Sequence, residues 1–279
     1  MESPTYEQER QFIVMIATLA AIPAVASGVA VGSILGLIGG GGSILAVPLL
    51  VYFVGVSSPH VAIGTSAVAV AVTALINLAL HARNGVVKWR CAGVFTIAGV
   101  FGAFIGASFA KLVDGQLLLA LFGALMIAVG IAMIWRRTEQ GTGEVRLTRE
   151  TARKMAPRLA GVGLGVGILS GFFGIGGGFL IVPGLVLATG MPLLAAIGTS
   201  LVAVAAFGAT TAATYNLSGL VDWTLAGLFV AGGLAGGLAG SWMARFLAGR
   251  KAALNIVFAA VVAGVGLYVA GRGVLILLG

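Results

Sequence analysis

Few residues of this chain have the means to do chemistry, and most of those recur. GLIGGGGSILAVP at 36–48 and GFFGIGGGFLIVP at 171–183 set glycine runs and a proline in apolar sequence, and IGTS stands at 63–66 and again at 197–200. In a helix interior glycine costs about 1 kcal/mol and proline about 3 kcal/mol against alanine, so each glycine run predicts a backbone break. In lipid an unpaired N–H or C=O is expensive, and a break is tolerated only where protein or a water-filled cavity surrounds it. A helix restarting at Ser43 or Phe179 turns its first free N–H groups and the positive end of its dipole into that space, which suits a small anion. Gly40, Gly41, Gly42 and Ser43, with Gly176, Gly177 and Gly178, are therefore candidate anion-binding residues. The alternative is that the glycines only permit close helix contact.

Hydroxyls and one amide extend the candidate set. Thr65, Ser66, Thr199 and Ser200 lie near the starts of their segments, where they can cap a helix, bind a ligand oxygen, or both. Asn77 and His81 are four apart and share a helix face, as do Thr210, Thr211, Thr214 and Tyr215, one turn from each other. Polar side chains inside a membrane face the bundle interior or a pathway, so Asn77 and Thr211 join the set, with helix–helix hydrogen bonding as the alternative. His81, close to Arg83, is expected near the cytoplasmic interface. The ladders Gly232–Gly236–Gly240, Gly233–Gly237 and Gly102–Gly106 have small-xxx-small spacing and are expected to serve helix packing.

The missing groups exclude several function classes. All eight carboxylates fall in the N-terminal tail or in connections, which argues against a proton relay through buried acids and against an intramembrane aspartyl protease. His60 and His81 accompany no nucleophile motif, and no metal cluster, P-loop or dinucleotide fingerprint stands in a fitting context. The single Cys91 rules out an intramolecular disulfide and a cysteine metal cage, and reads as an inert packed thiol. Neither an enzyme nor a cofactor is expected.

The elements that must position these residues are membrane segments. The chain is 59% hydrophobic and only 9% charged, and its mean hydropathy is +1.13, too little polar surface for a soluble domain of 279 residues. Stretches such as 12–38, 61–82 and 223–247 exceed the roughly 18 apolar residues of a membrane span, giving an all-α polytopic membrane protein. The +8 net charge is scattered through short connections, the positive-inside signature rather than a nucleic-acid surface. Residues 1–11 carry three glutamates against Arg10, unlike a signal peptide, so the first segment is read as a retained helix behind an extracytoplasmic tail.

The segments come in two copies. The break motif repeats at an offset of 135, while IGTS, the pair Trp89/Trp223, and Gly99, Gly102 and Gly106 with Gly233, Gly236 and Gly240 repeat at 134. One register held across about seventy residues defines an internal repeat. The first copy, within 12–135, has segments A (12–38), B (43–56), C (61–82), D (91–110) and E (117–135). The second, within 159–279, has A′ (159–173), B′ (179–190), C′ (193–217), D′ (223–247) and E′ (252–278). B and B′ reach only about 21 and 17 Å against a hydrocarbon core of about 30 Å, so each is expected to pair with its A segment as a re-entrant or unwound hairpin. The 136–158 linker holds seven basic residues, which makes it cytoplasmic. The C–D connection is basic while C′–D′ holds only Asp222, and D–E and D′–E′ reverse that bias, the pattern of an inverted-topology repeat. Nothing here fixes an oligomeric state, and a homo-oligomer is left open.

The doubled motif, each copy followed by IGTS and a tryptophan, resembles the sulfite exporter (TauE/SafE) family over residues 12 to 276. The resemblance implies an inner-membrane permease for small sulfur-containing anions such as sulfite or organosulfonates. An inside-negative potential favours anion exit by about 2.3 kcal/mol per charge per 100 mV, so export by alternating access would need no coupled ion. An anion channel, a permease for another small anion, and a membrane scaffold or enzyme are the alternatives.

Overall fold

The computed structural model describes residues 21–36, 40–83, 85–135, 149–246 and 251–278, and every element among them is helical. In chain order these are α1 (Ala21–Gly36), α2 (Gly42–Phe53), α3 (Pro59–Arg83), α4 (Trp89–Ala110) and α5 (Gly115–Trp135). They are followed by α6 (Arg149–Phe173), α7 (Gly178–Thr189), α8 (Leu193–Asn216), α9 (Trp223–Phe246) and α10 (Lys251–Leu278). The ten helices correspond to segments A to E and A′ to E′. Among the described residues six stretches are long and apolar enough to cross a membrane: α3, α4, Gly115–Ala132, Met155–Phe173, Ala195–Asn216 and Trp223–Gly240. The protein is a multi-pass membrane protein. The tail 1–11, linker residues 136–148 and the connection at 247–250 lie outside the described residues.

Two boundaries differ from the sequence expectation. Helix α6 begins at Arg149, ten residues ahead of segment A′, and runs through Pro157. Its extra turns carry Arg149, Arg153, Lys154 and Arg158, four of the linker's seven basic residues and good helix formers. Helix α2 is irregular: a 3-10 turn (Gly40–Leu45), one α-helical stretch (Ala46–Pro48) and a π turn (Leu49–Phe53). Pro48 explains the change of pitch, because it lacks an N–H and its ring crowds the carbonyl four residues back.

Equivalent helices make equivalent pairings. Helix α1 lies along α9 as α6 lies along α4, α3 crosses α8, and α5 pairs with α10. Glycine makes the two long seams. A Cβ on Gly28 or Gly32 would run into the carbonyls of Phe229 and Gly233, and one on Gly163 or Gly167 into those of Phe95 and Gly99. From the other side, Gly232, Gly236 and Gly240 abut the carbonyls of Val25, Val29 and Ser33, while Gly102 and Gly106 abut those of Leu164 and Ile168. The contact numbers rise together in each pair, so both seams join parallel helices at backbone contact, which only small residues allow. Trp89 and Trp223 are exposed at the starts of α4 and α9, positions suited to an interfacial belt.

Helices α3 and α8 run antiparallel. Gly64, early in α3, packs on Tyr215 in the last turn of α8 and on Leu220 just beyond it, and Gly198, early in α8, packs on His81 and Val86. The connections before α4 and before α9 therefore sit at opposite ends of the bundle.

Candidate functional site

The glycine breaks lie at the crossing of α3 and α8. Gly174, Gly176 and Gly177 have φ of +67°, +61° and +69°, a left-handed run that only glycine enters at low cost. A Cβ on Gly174 would strike Ile63, and one on Gly176 would lie 2.7 Å from Val70 Cγ1 and 3.4 Å from Val204 Cγ1. Val70 and Val204 are equivalent residues in the middle of α3 and α8, so the second break sits at mid-helix between the two copies. The turn Gly40–Leu45 of the first break packs against α7, which brings the two breaks together. Gly42 fits there because a Cβ would lie 2.6 Å from the Leu35 N and 2.8 Å from the Val31 carbonyl. Ser43 is wholly buried, as are Gly176, Gly177 and Gly178.

The chain enters and leaves each break at one end of the bundle. Gly163 of α6 meets Phe95 early in α4, while the Lys88 N–H just before α4 donates to Thr199 Oγ1, early in α8, at 3.0 Å. So α6 and α8 both start at that end, and the α6–α7 hairpin runs inward and back. Likewise, Gly28 of α1 meets Phe229 early in α9, and the Asp222 N–H just before α9 donates to Thr65 Oγ1 of α3 at 3.0 Å. The α1–α2 hairpin therefore enters from the opposite end. Helix α7, twelve residues and about 18 Å long, has its N-terminus at the crossing, where its positive dipole end lies.

The IGTS motifs do different work from the capping of α3 and α8. Thr65 and Thr199 sit in the second turn of those helices, and each hydroxyl accepts the backbone N–H at the start of a helix in the other copy. Both are fully buried, and the N–H each accepts would otherwise cost about 1–3 kcal/mol unpaired. Ser66 and Ser200 turn back on their own helices, donating to the Ile63 and Ile197 carbonyls at 3.0 and 2.7 Å.

The thirteen candidates thus do not form a single cluster. Gly40 to Ser43 and Gly176 to Gly178 lie together at the crossing. Thr65 and Ser66 fall toward the end where α8 finishes, with Thr211, while Thr199 and Ser200 fall toward the end where α3 finishes, with Asn77. Twelve residues separate Thr65 from Asn77, about 18 Å along α3. Asn77 Nδ2 donates to the Thr73 carbonyl at 2.9 Å, and the Asn77 carbonyl lies 3.0 Å from His81 Nδ1. Thr211, the residue equivalent to Asn77, is fully buried with its hydroxyl unpartnered.

Two buried hydroxyls outside the candidate set stand out, Tyr215, already grouped by sequence with Thr211, and Ser170. Tyr215 is buried with its hydroxyl unpartnered, and its ring stacks on His60 at 6.5 Å. Ser170, fully buried and unpartnered, stands beside Gly177. Ser170 had a sequence signal, being the lone hydroxyl in segment A′ and one residue ahead of the break motif. Among the described residues no group of three or more His, Cys, Asp or Glu could hold a metal ion.

The sequence profile of the sulfite exporter TauE/SafE family matches residues 24–269. The chain belongs to this family. A probable membrane transporter protein of Xylella fastidiosa (strain Temecula1) is 50% identical over 251 residues, covering 90% of this chain and 95% of the relative. A probable membrane transporter protein of Bacillus subtilis, YunE, is 30% identical over 222 residues, covering 74% and 81%. One from Methanocaldococcus jannaschii is 31% identical over 167 residues, covering 57% and 60%. No solved structure matches the chain. This TauE/SafE member is a membrane transporter, and the break motifs and both IGTS motifs fall inside the matched region.

Proposed function

We propose that this transporter exports small anions, sulfite or an organosulfonate above all, from the cytoplasm across the inner membrane by alternating access. The observation that carries this is the meeting of the two glycine breaks at the α3–α8 crossing, with the α7 N-terminus at the crossing. Aligned N–H groups and a helix dipole favour negative charge there, and no carboxylate of the chain lies within a hydrophobic segment to oppose it. The family profile supports the sulfur-anion class.

The two copies are read as inverted repeats, with the 136–158 linker in the cytoplasm, which the basic character of that linker supports. The hairpins entering from opposite ends then act as two gates. Thr65 ties α3 to the start of α9 on the extracytoplasmic side, and Thr199 ties α8 to the start of α4 on the cytoplasmic side. Opening either side breaks its tie while the other holds.

Flux of labelled sulfite from proteoliposomes, with and without an imposed potential, tests the proposal. Saturable flux that rises when the sulfite-containing side is made negative is expected. Flux indifferent to potential rejects uncoupled anion export, and flux that never saturates assigns a channel.

A further inference from the structure

The two breaks are built from the same backbone but not from the same hydroxyls. Ser43 in the first occupies the place of Gly178 in the second, while Leu35 in α1 occupies the place of Ser170 in α6. Ser43 has a partner. Ser170 is 0% exposed, and its hydroxyl has none. Ser66, Thr73, Ser200 and Thr214 donate to a carbonyl three or four residues back, whereas Ser27, Thr96 and Thr211 share the orphaned state of Ser170. What Ser170 adds is its place beside the break glycine Gly177. An orphaned buried hydroxyl costs about as much as a lost hydrogen bond and marks a place where a partner belongs.

Its position says which partner. Ser170 Oγ lies 2.7 Å from where a Cβ on Gly177 would be, and Gly177 is the N-cap of α7, with no side-chain cap bond. The N–H groups of Leu180 and Ile181 both go to the Gly177 carbonyl at 2.8 Å, so those of Gly178 and Phe179 precede the first intrahelical bond. Three donors, one hydroxyl and two N–H groups, therefore stand at the N-terminal end of α7, where its dipole is positive. Donors without an acceptor at such an end call for an anion.

We propose that the second break carries the anion subsite, with the Ser170 hydroxyl and the N–H groups of Gly178 and Phe179 donating to one small oxyanion. Leu35 leaves the first break without the matching side-chain donor. The substrate then meets an asymmetric cradle at the centre of a nearly symmetric molecule, held chiefly by the second copy. This rests on the reading of the chain as a small-anion transporter.

The test uses the full chain, purified and reconstituted, with sulfite and isethionate as probes for calorimetric binding and for flux. Ser170→Ala is expected to weaken binding of the anion at least tenfold, as for a hydrogen bond to a charged group, with KM for flux rising in step. The melting temperature without anion should hold or rise, since the change removes an unsatisfied buried hydroxyl. A lower melting temperature with unchanged affinity and KM makes the hydroxyl structural and overturns the subsite while leaving the transporter reading intact. Wild-type protein that neither binds nor moves either probe overturns both. Should Ser170→Ala fail to fold, Ser170→Cys keeps the shape with a far weaker donor and is held to the same criteria.

Discussion

Gly177 and Gly190 share a backbone conformation and nothing else. Both have φ near +70°, one as the N-cap of α7 and the other as its C-cap. Around Gly190 a Cβ would meet open space, whereas around Gly177 it would meet Ser170 Oγ, Ser170 Cβ at 2.8 Å and Ile181 Cδ1 at 3.4 Å. At Gly190 the glycine answers a local need, the left-handed turn that ends a helix. At Gly177 it answers that need and also keeps a side chain out of the crossing. The same contrast separates the termini of α7 in charge: the C-terminus ends in a turn at the periphery, while the N-terminus is held inside the protein.

Replacing each glycine by valine turns this comparison into the largest effect. Gly190→Val should cost only the strain of a β-branched residue in the left-handed region, about 1–3 kcal/mol, and flux by the folded protein should stay within a few-fold of wild type. Gly177→Val carries the same strain and adds a collision with α6, so flux should fall to background. Melting temperature and flux measured on both variants separate the two contributions. Equal flux from the two would mean that the space around Gly177 has no role in transport.

Much of this arrangement was legible in the chain. The doubled motif announced two copies because glycine and proline are costly in apolar helices and are unlikely to recur in one register by accident. The seam glycines were legible for the same reason, their spacing matching a helix face. Thr65 and Thr199 stand out by sequence as helix caps, ligand-binding hydroxyls or both, but their tie to a distant helix start does not, because the N–H groups they accept lie 157 and 111 residues away. Only the antiparallel crossing of α3 and α8 brings those partners together. That crossing also divides the hydroxyl candidates between two ends, a fact that no spacing along one helix reveals. Ser170 was visible as a lone hydroxyl but could not be weighed until the neighbouring Gly177 and the absent back-bond were known.

The two threonine ties are a second comparison, between the ends of the molecule. Thr65→Val and Thr199→Val each keep the shape of the side chain and leave one N–H unpaired, a cost of about 1–3 kcal/mol. If the ties close opposite sides, the variants should shift the resting state in opposite directions by roughly ten- to a hundredfold. Maleimide labelling of single cysteines placed near Ile63 and near Ile197, in a background lacking Cys91, reads that shift. Thr65→Val should raise labelling near Ile63 from one side of the membrane, and Thr199→Val near Ile197 from the other. A change on the same side for both would break the assignment of the ties as paired gates.

The smallest effect concerns a difference inside the core. Phe207 of α8 and Thr73 of α3 are equivalent positions at the 134 offset. Phe207 is fully buried and stacks on Phe95 at 6.2 Å with 19° between the rings. Phe229 is the equivalent of Phe95, but it faces a small void that Thr73 only partly fills, with Val31 and Val70 among its other walls. Phe207→Ala would open a large cavity and cost about 3–5 kcal/mol. Thr73→Ala merely enlarges a void already present and removes a bond from Thr73 Oγ1 to the Ala69 carbonyl of its own helix at 2.7 Å. The latter should cost about 1 kcal/mol, seen as a small shift of the melting midpoint. The void lies between α1, α3 and α9, beside the seam that holds the α1–α2 hairpin, and the matching space beside the α4–α6 seam is filled by an aromatic ring. A larger loss from Thr73→Ala than from Phe207→Ala would mean that the first copy, not the second, is the rigid half against which the other moves.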